Sequence, residues 1–249
     1  MSEKKLRELQ NLVLRLHEQM TQEFGNRGPT LGLALFLGRH YAESRTLLCG
    51  INPGYSYDDR SVAVQLGPDN VPFEIQLPCD HAYWRNCSKF FSDHAELREW
   101  FIKGVTSTFL VPWRTRDSRE LWTLNERTSG KVFDYSKLIL RQMIADHEAN
   151  RLIVAGVEGL RLLNRILGCG WTASDIRNAD PDARRGTYQW RTMTFQMEQP
   201  SSSTGDRVPA SIQVIQVPHF SRPSSRDLMK PCAQWLMREL GIGSTSDVP

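Results

Sequence analysis

The stretch "RTLLCGINPGYSYDDR", Arg45 to Arg60, decides how the rest of the chain is read. Thr46–Cys49 is a short apolar run with the length of a buried strand rather than of a helix. Gly50, Pro53 and Gly54 interrupt it within a few residues, so the strand ends in a tight turn. Loops at the ends of parallel strands are where open α/β sheets assemble their sites. Asn52 falls in that turn, with its amide held by a stiffened backbone.

Working outward, helical and strand-like segments alternate. Residues 3–24 place Leu6, Leu9, Val13, Leu16 and Met20 on one face, an amphipathic helix expected to pack on the sheet. The first strand is expected at about 46–51, followed by a long turn-rich segment of the kind that is functional or disordered in compact domains. Helical patterning returns at Tyr83–Phe91 and Ala95–Lys103, and "VTSTFLVPW" is a second strand ending at Pro112. Residues 134–149 read as a helix capped by Asp134, "RLIVAG" as a third strand, and "VEGLRLLNRIL" as a helix stopped by Gly168. "GTYQWRTMTFQME" alternates like an exposed or edge strand, and residues 198–211 have the Ser, Pro and Gly content of a flexible loop. Strand "SIQVIQV" runs into "PHFSRPSSRDL", and a last helix spans about Pro231–Leu240 with Pro231 near its first turn. The tail 241–249 is expected to be disordered, and the tryptophans, including Trp84, Trp100 and Trp113, to lie in the core. Strands separated by helices predict a single-domain three-layer α/β/α sandwich with a central, mostly parallel sheet.

Composition narrows the class. A chain of 249 residues, 40% hydrophobic and 24% charged, is enough for one sizeable core. No run approaches the roughly 18 apolar residues of a membrane span, so no membrane partner is expected. The charged start "MSEKKLRELQ" has no apolar signal region, which predicts a cytoplasmic protein, nucleoid-associated in a bacterium. Five scattered cysteines without a C-x-x-C pair predict reduced thiols and no metal or other cofactor. A net charge of +3 permits a nucleic-acid partner without demanding one.

"GINPG" at Gly50–Gly54, a strand ending in "LVPWRT", and "VPHFSRPS" at Val217–Ser224 occur in the order and rough spacing of the uracil-DNA glycosylase superfamily. The first motif resembles the Gly-x-Asn-Pro-Gly loop of the mismatch-specific and single-strand-selective branches. The third resembles the family's His-Pro-Ser-Pro loop, with Phe220 in place of the first proline. The resemblance covers roughly Thr46 to Leu240 in layout, on few specific residues. It implies a glycosylase acting on a base flipped out of duplex or single-stranded DNA, and the absence of a lysine from the first and third motifs predicts a monofunctional one without a lyase step. Asn52 and His219 would be the catalytic pair, with Gly50, Ile51, Pro53 and Gly54 lining the base pocket. Phe73 has two readings, a core residue or the ring that stacks on the flipped base. Ser221, Arg222, Ser224 and Arg226 are suited to gripping phosphates beside that nucleotide.

The chemistry matches these residue types. Breaking an N-glycosidic bond develops positive charge on the sugar and negative charge on the departing base, chiefly on O2 of a pyrimidine. A histidine aimed at O2 would contribute ~3 kcal/mol, by analogy with one oxyanion donor. The asparagine's amide oxygen orients water toward the sugar carbon. Two positions bear on the base. Gly54 stands where the classical uracil enzymes carry a tyrosine that blocks 5-substituents. Phe109 stands where the superfamily often has an asparagine reading the pyrimidine edge, with Thr108 supplying a hydroxyl if the register slips by one residue. Together they favour a 5-substituted pyrimidine, such as a hypermodified phage cytosine removed in antiviral defence. Uracil or mismatched thymine excision in repair is the alternative, and a non-catalytic nucleic-acid binder on the same fold is the rival of another class. His219, taken alone, is an ordinary loop histidine.

Overall fold

A computed structural model describes residues 2–35, 44–53, 63–66, 89–91, 94–177, 190–200, 207–218 and 226–242. Helix α1, Glu3–Phe24, begins where the Ser2 hydroxyl accepts from the Lys5 amide and ends at Gly25 with φ 51°. Its buried stripe is Leu9, Val13, Leu16 and Met20, as the helical spacing requires. The first strand lies earlier than expected: β1, Gly32–Ala34, precedes β2, Thr46–Gly50. Then follow β3 (Ala63–Gln65), α2 (Ala95–Gly104), β4 (Val105–Phe109), α3 (Ser118–Arg127) and α4 (Lys131–Asp146). The chain continues through β5 (Arg151–Ala155), α5 (Gly156–Leu167), α6 (Ala173–Arg177), β6 (Arg191–Pro200), β7 (Arg207–Val217) and α7 (Arg226–Leu240).

The central sheet has five strands in the order β4-β2-β5-β7-β6, and β1 pairs with β3 in a separate parallel pair. The first four strands of the central sheet are parallel, while β6 runs antiparallel to β7 at the edge. Strand alternation sends side chains to two faces. Leu47, Cys49, Leu152, Val154, Ile212 and Val214 meet the apolar stripes of α1, α4 and α5. Leu48, Ile153, Ala155, Ile215 and Val217 meet Leu97 and Phe101 of α2 and Cys232, Ala233 and Leu236 of α7. This is an α/β fold with a mostly parallel sheet and helices on both faces. Among the described residues no helix is long and apolar enough to cross a membrane.

Several expected boundaries are corrected. Helix α4 starts at Lys131, not Asp134, because the Asn125 side chain reaches forward from α3 and accepts from the Phe133 amide at 3.0 Å. Residues 198–200 and 207–211 are not loop but strand, drawn in by the antiparallel ladder from Arg191↔Gln216 to Pro200↔Arg207. Pro209 is tolerated there because β5 pairs with β7 only from Gln213 onward. Pro231 lies inside α7, which begins at Arg226. Of the described tryptophans only Trp113 is fully buried; Trp100, Trp122, Trp171, Trp190 and Trp235 pack half-exposed at the margins of the core. Helices α3 and α6 add to the elements expected. The described part of 83–91 is helical at 89–91, and the tail 243–249 and Trp84 lie outside the described residues.

Candidate active site

From β2 the chain crosses to β4 on one side, then returns to β5 on the other. The carboxyl ends of β2 and β5 therefore flank the point where the strand order reverses, the usual position of a ligand crevice in open α/β sheets. Gly50, Ile51, Asn52 and Pro53 leave the sheet at that point. The parallel ladder runs without a slip, Cys49↔Thr108 and Gly50↔Phe109. It continues beyond both strands, with the Leu110 amide donating to the Gly50 carbonyl at 2.8 Å and the Val111 amide to that of Ile51 at 3.0 Å.

The half-buried Asn52 amide nitrogen donates to the Thr115 hydroxyl at 2.8 Å, the Pro53 carbonyl at 3.1 Å and, more weakly, the Thr115 carbonyl at 3.4 Å. Carbonyl oxygens only accept, so this side of the amide is its NH2 side. Among the described residues Oδ1 accepts no hydrogen bond and is left as the acceptor. Thr115 is 2% exposed. Its own hydroxyl donates to the Asp117 carbonyl at 2.9 Å.

The segment carrying Thr115 is pinned from three directions. β1 lies antiparallel to it through Leu33↔Trp113, the Ala34 amide donating to the Pro112 carbonyl at 2.8 Å and the Arg114 amide to that of Gly32 at 3.0 Å. The Trp113 indole donates to His17 Nδ1 on α1 at 3.3 Å. Burial lowers the pKa of that histidine against the opposing charge of Glu18, which favours the neutral imidazole that can accept. Beyond Thr115, Asp117 caps α3 by accepting from the Glu120 amide at 2.8 Å, while the Glu120 carboxylate accepts from the Arg116 amide at 2.6 Å. Burial pushes the Glu120 carboxyl up, but the Arg116 hydrogen bonds outweigh it and hold the group below its ordinary range.

Phe109 is buried at the end of β4 beside Gly50, on the α2 side by strand alternation. Thr108 is 0% exposed and gives its hydroxyl proton to the Leu35 carbonyl at 2.7 Å. With the register unslipped, Phe109 and not Thr108 holds the position beside Gly50. Gly54, Phe73, His219, Ser221, Arg222 and Ser224 lie outside the described residues, and Arg226 is the first residue of α7. The described residues thus bring Gly50, Ile51, Asn52, Pro53 and Phe109 to one sheet edge. The sequence reading missed Thr115; its signal was the pair Asp117 and Glu120, three residues apart, which marks a helix start.

A cleft of about 660 Å³ lies elsewhere, between the C-terminal half of α5 and α6, lined by Arg161, Asn164, Arg165 and Trp171 among others. It contains none of the expected site residues. No protein-family model matches the chain, and no curated protein matches it.

Proposed function

We propose that this chain is a monofunctional DNA glycosylase that hydrolyses the N-glycosidic bond of a flipped-out, 5-substituted pyrimidine and leaves an abasic site. The observation that carries the proposal is the Asn52 amide at the strand-order reversal, with its nitrogen occupied and its oxygen accepting no hydrogen bond among the described residues. An acceptor held there orients a water whose oxygen attacks the sugar C1′. The C1′–N1 bond breaks, its electron pair leaves with the base, and the water's spare proton passes to solvent. A neutral amide is a weak base, so departure of the base carries most of the barrier, and a donor to its O2 is where catalysis gains most. His219, two positions past the end of β7 in the sequence, is the residue the motif resemblance assigns to that task. β7 is the neighbour of β5 and parallel to it, so its carboxyl end opens on the same sheet edge as that of β2.

Phe109 beside Gly50 supports a base other than plain uracil, because a phenyl ring neither donates to nor accepts from a pyrimidine edge. The biological setting we favour is removal of modified cytosines from invading DNA by a cytoplasmic protein, with uracil or thymine-mismatch repair as the alternative. The test offers the purified protein duplex and single-stranded oligonucleotides carrying uracil, a thymine mismatch, 5-hydroxymethylcytosine or glucosylated 5-hydroxymethylcytosine. Strand cleavage should appear only after alkali, and His219→Ala should slow it about 100-fold. Efficient release of uracil alone would transfer the protein to repair. Tight DNA binding with no abasic site on any oligonucleotide would make it a binder and end the enzymatic proposal.

A further inference from the structure

We infer that Thr115 is a positioning residue: held by the N-terminal cap of α3, it sets the rotation of the Asn52 amide and so presents Oδ1, rather than the NH2 group, to the reaction. The inference rests on the glycosylase proposal for its chemistry but on hydrogen-bond geometry for its substance.

An asparagine at a strand end has two amide orientations of nearly equal shape and opposite hydrogen-bonding sense. A water that must keep a lone pair for C1′ needs an acceptor for its proton, and only one of those orientations supplies it. A chain of donors and acceptors fixes the choice. The Thr115 hydroxyl has one proton, and it goes to the Asp117 carbonyl at 2.9 Å. What remains on Thr115 Oγ1 is acceptor capacity, which the Asn52 nitrogen fills at 2.8 Å. The Pro53 carbonyl at 3.1 Å enforces the same sense from the other side. Rotating the amide would set its oxygen against the carbonyl oxygens of Pro53 and Thr115.

The anchor does not drift, because Asp117 is held by α3 itself. Its carboxylate takes the Glu120 amide, and the Glu120 carboxylate takes the amide of Arg116, the residue before the cap, so two hydrogen bonds brace Arg116–Glu120. The first turn of α3 therefore acts as a strut for a side chain 63 positions earlier in sequence. Serine keeps the hydroxyl and valine keeps the shape without it, so the two substitutions separate hydrogen bonding from packing.

The experiment compares the unmodified protein with Thr115→Val, Thr115→Ser, Asn52→Ala and the Asn52→Ala/Thr115→Val double variant. Side-chain amide NMR, with the Asn52 pair assigned by its loss in Asn52→Ala, reads the anchor without any substrate. Slow exchange of that pair should be lost in Thr115→Val and kept in Thr115→Ser. On whichever oligonucleotide of the panel is cleaved, Thr115→Val should lower kcat about 10- to 100-fold with KM unchanged. Serine should restore the rate, and the double variant should be no slower than Asn52→Ala alone. Unchanged amide exchange in Thr115→Val overturns the inference, as does full activity, or slowing that adds in full to Asn52→Ala. If the unmodified protein yields no abasic site, the glycosylase proposal falls, and the amide exchange alone still decides whether Thr115 holds Asn52.

Discussion

Asp146 closes α4 with its carboxylate 7% exposed, 3.8 Å from the Lys5 ammonium on α1. Burial raises its pKa, and the opposing Gln142 hydrogen bond and Lys5 charge do not cancel that rise. A raised carboxyl pKa means that the folded chain binds this proton more tightly than the unfolded one. Stability from this group is therefore whole below the ordinary aspartate value and is lost as pH climbs through the folded one, so at neutral pH the charged form is a net cost. We expect Asp146→Asn to raise the thermal midpoint at pH 7 by on the order of 1–2 °C, with the gain vanishing once pH falls below the ordinary carboxylate range. A midpoint lowered at pH 7 would show that the Lys5 pair outweighs the burial. Asn52 illustrates the other side of residue-scale physics. Its place in the turn was legible from Gly50, Pro53 and Gly54, since backbone punctuation is local. The orientation of its amide was not, since the partner that sets it stands 63 residues away.

The turn between α3 and α4 holds two consecutive residues at positive φ. Gly130 has φ 87° at the cap of α4, with Ser129 also at positive φ, 51°. A Cβ at Gly130 would meet nothing within 4 Å, so the cost of adding one is conformational rather than steric. We expect Gly130→Ala to lower unfolding free energy by about 1 kcal/mol with an unchanged denaturant slope. Gly104 ends α2 at ordinary φ with equal space, and Gly104→Ala should be neutral or stabilising. Equal effects of the two substitutions would exclude the left-handed backbone as the cause. Element identity was readable wherever periodicity ran long, as in α1 and α5. Element ends were readable where a local signal marked them, as at Phe24 and Gly168, and not where a distant partner did: α4 borrows its cap from Asn125, and β6 and β7 pair out to Pro200 and Arg207.

Across the whole molecule, the sheet divides the core into two apolar clusters, and each holds a buried thiol, Cys49 in one and Cys232 in the other. Burial pushes Cys49 up to about 12 and Cys232 well above the ordinary thiol value, so neither presents a thiolate at neutral pH. Site-resolved alkylation at pH 8 should modify both only at the rate of global opening, with the two thiols following one denaturant midpoint. Rapid native labelling of one and not the other would mean that the two faces of the sheet open separately. The same architecture separates what was legible from what was not. Local chemistry alone determined the alternation of strands and helices, the mostly parallel sheet and the tight turn at Asn52. Those depend on apolar period and on Gly and Pro, which act over a few neighbouring residues. Only the fold decided that the turn lies at the reversal of strand order, that Phe109 rather than Thr108 stands beside it, and that Thr115 holds its amide. Each of these is a register or a contact between distant segments, and such contacts exist only after the two faces of the sheet have been covered.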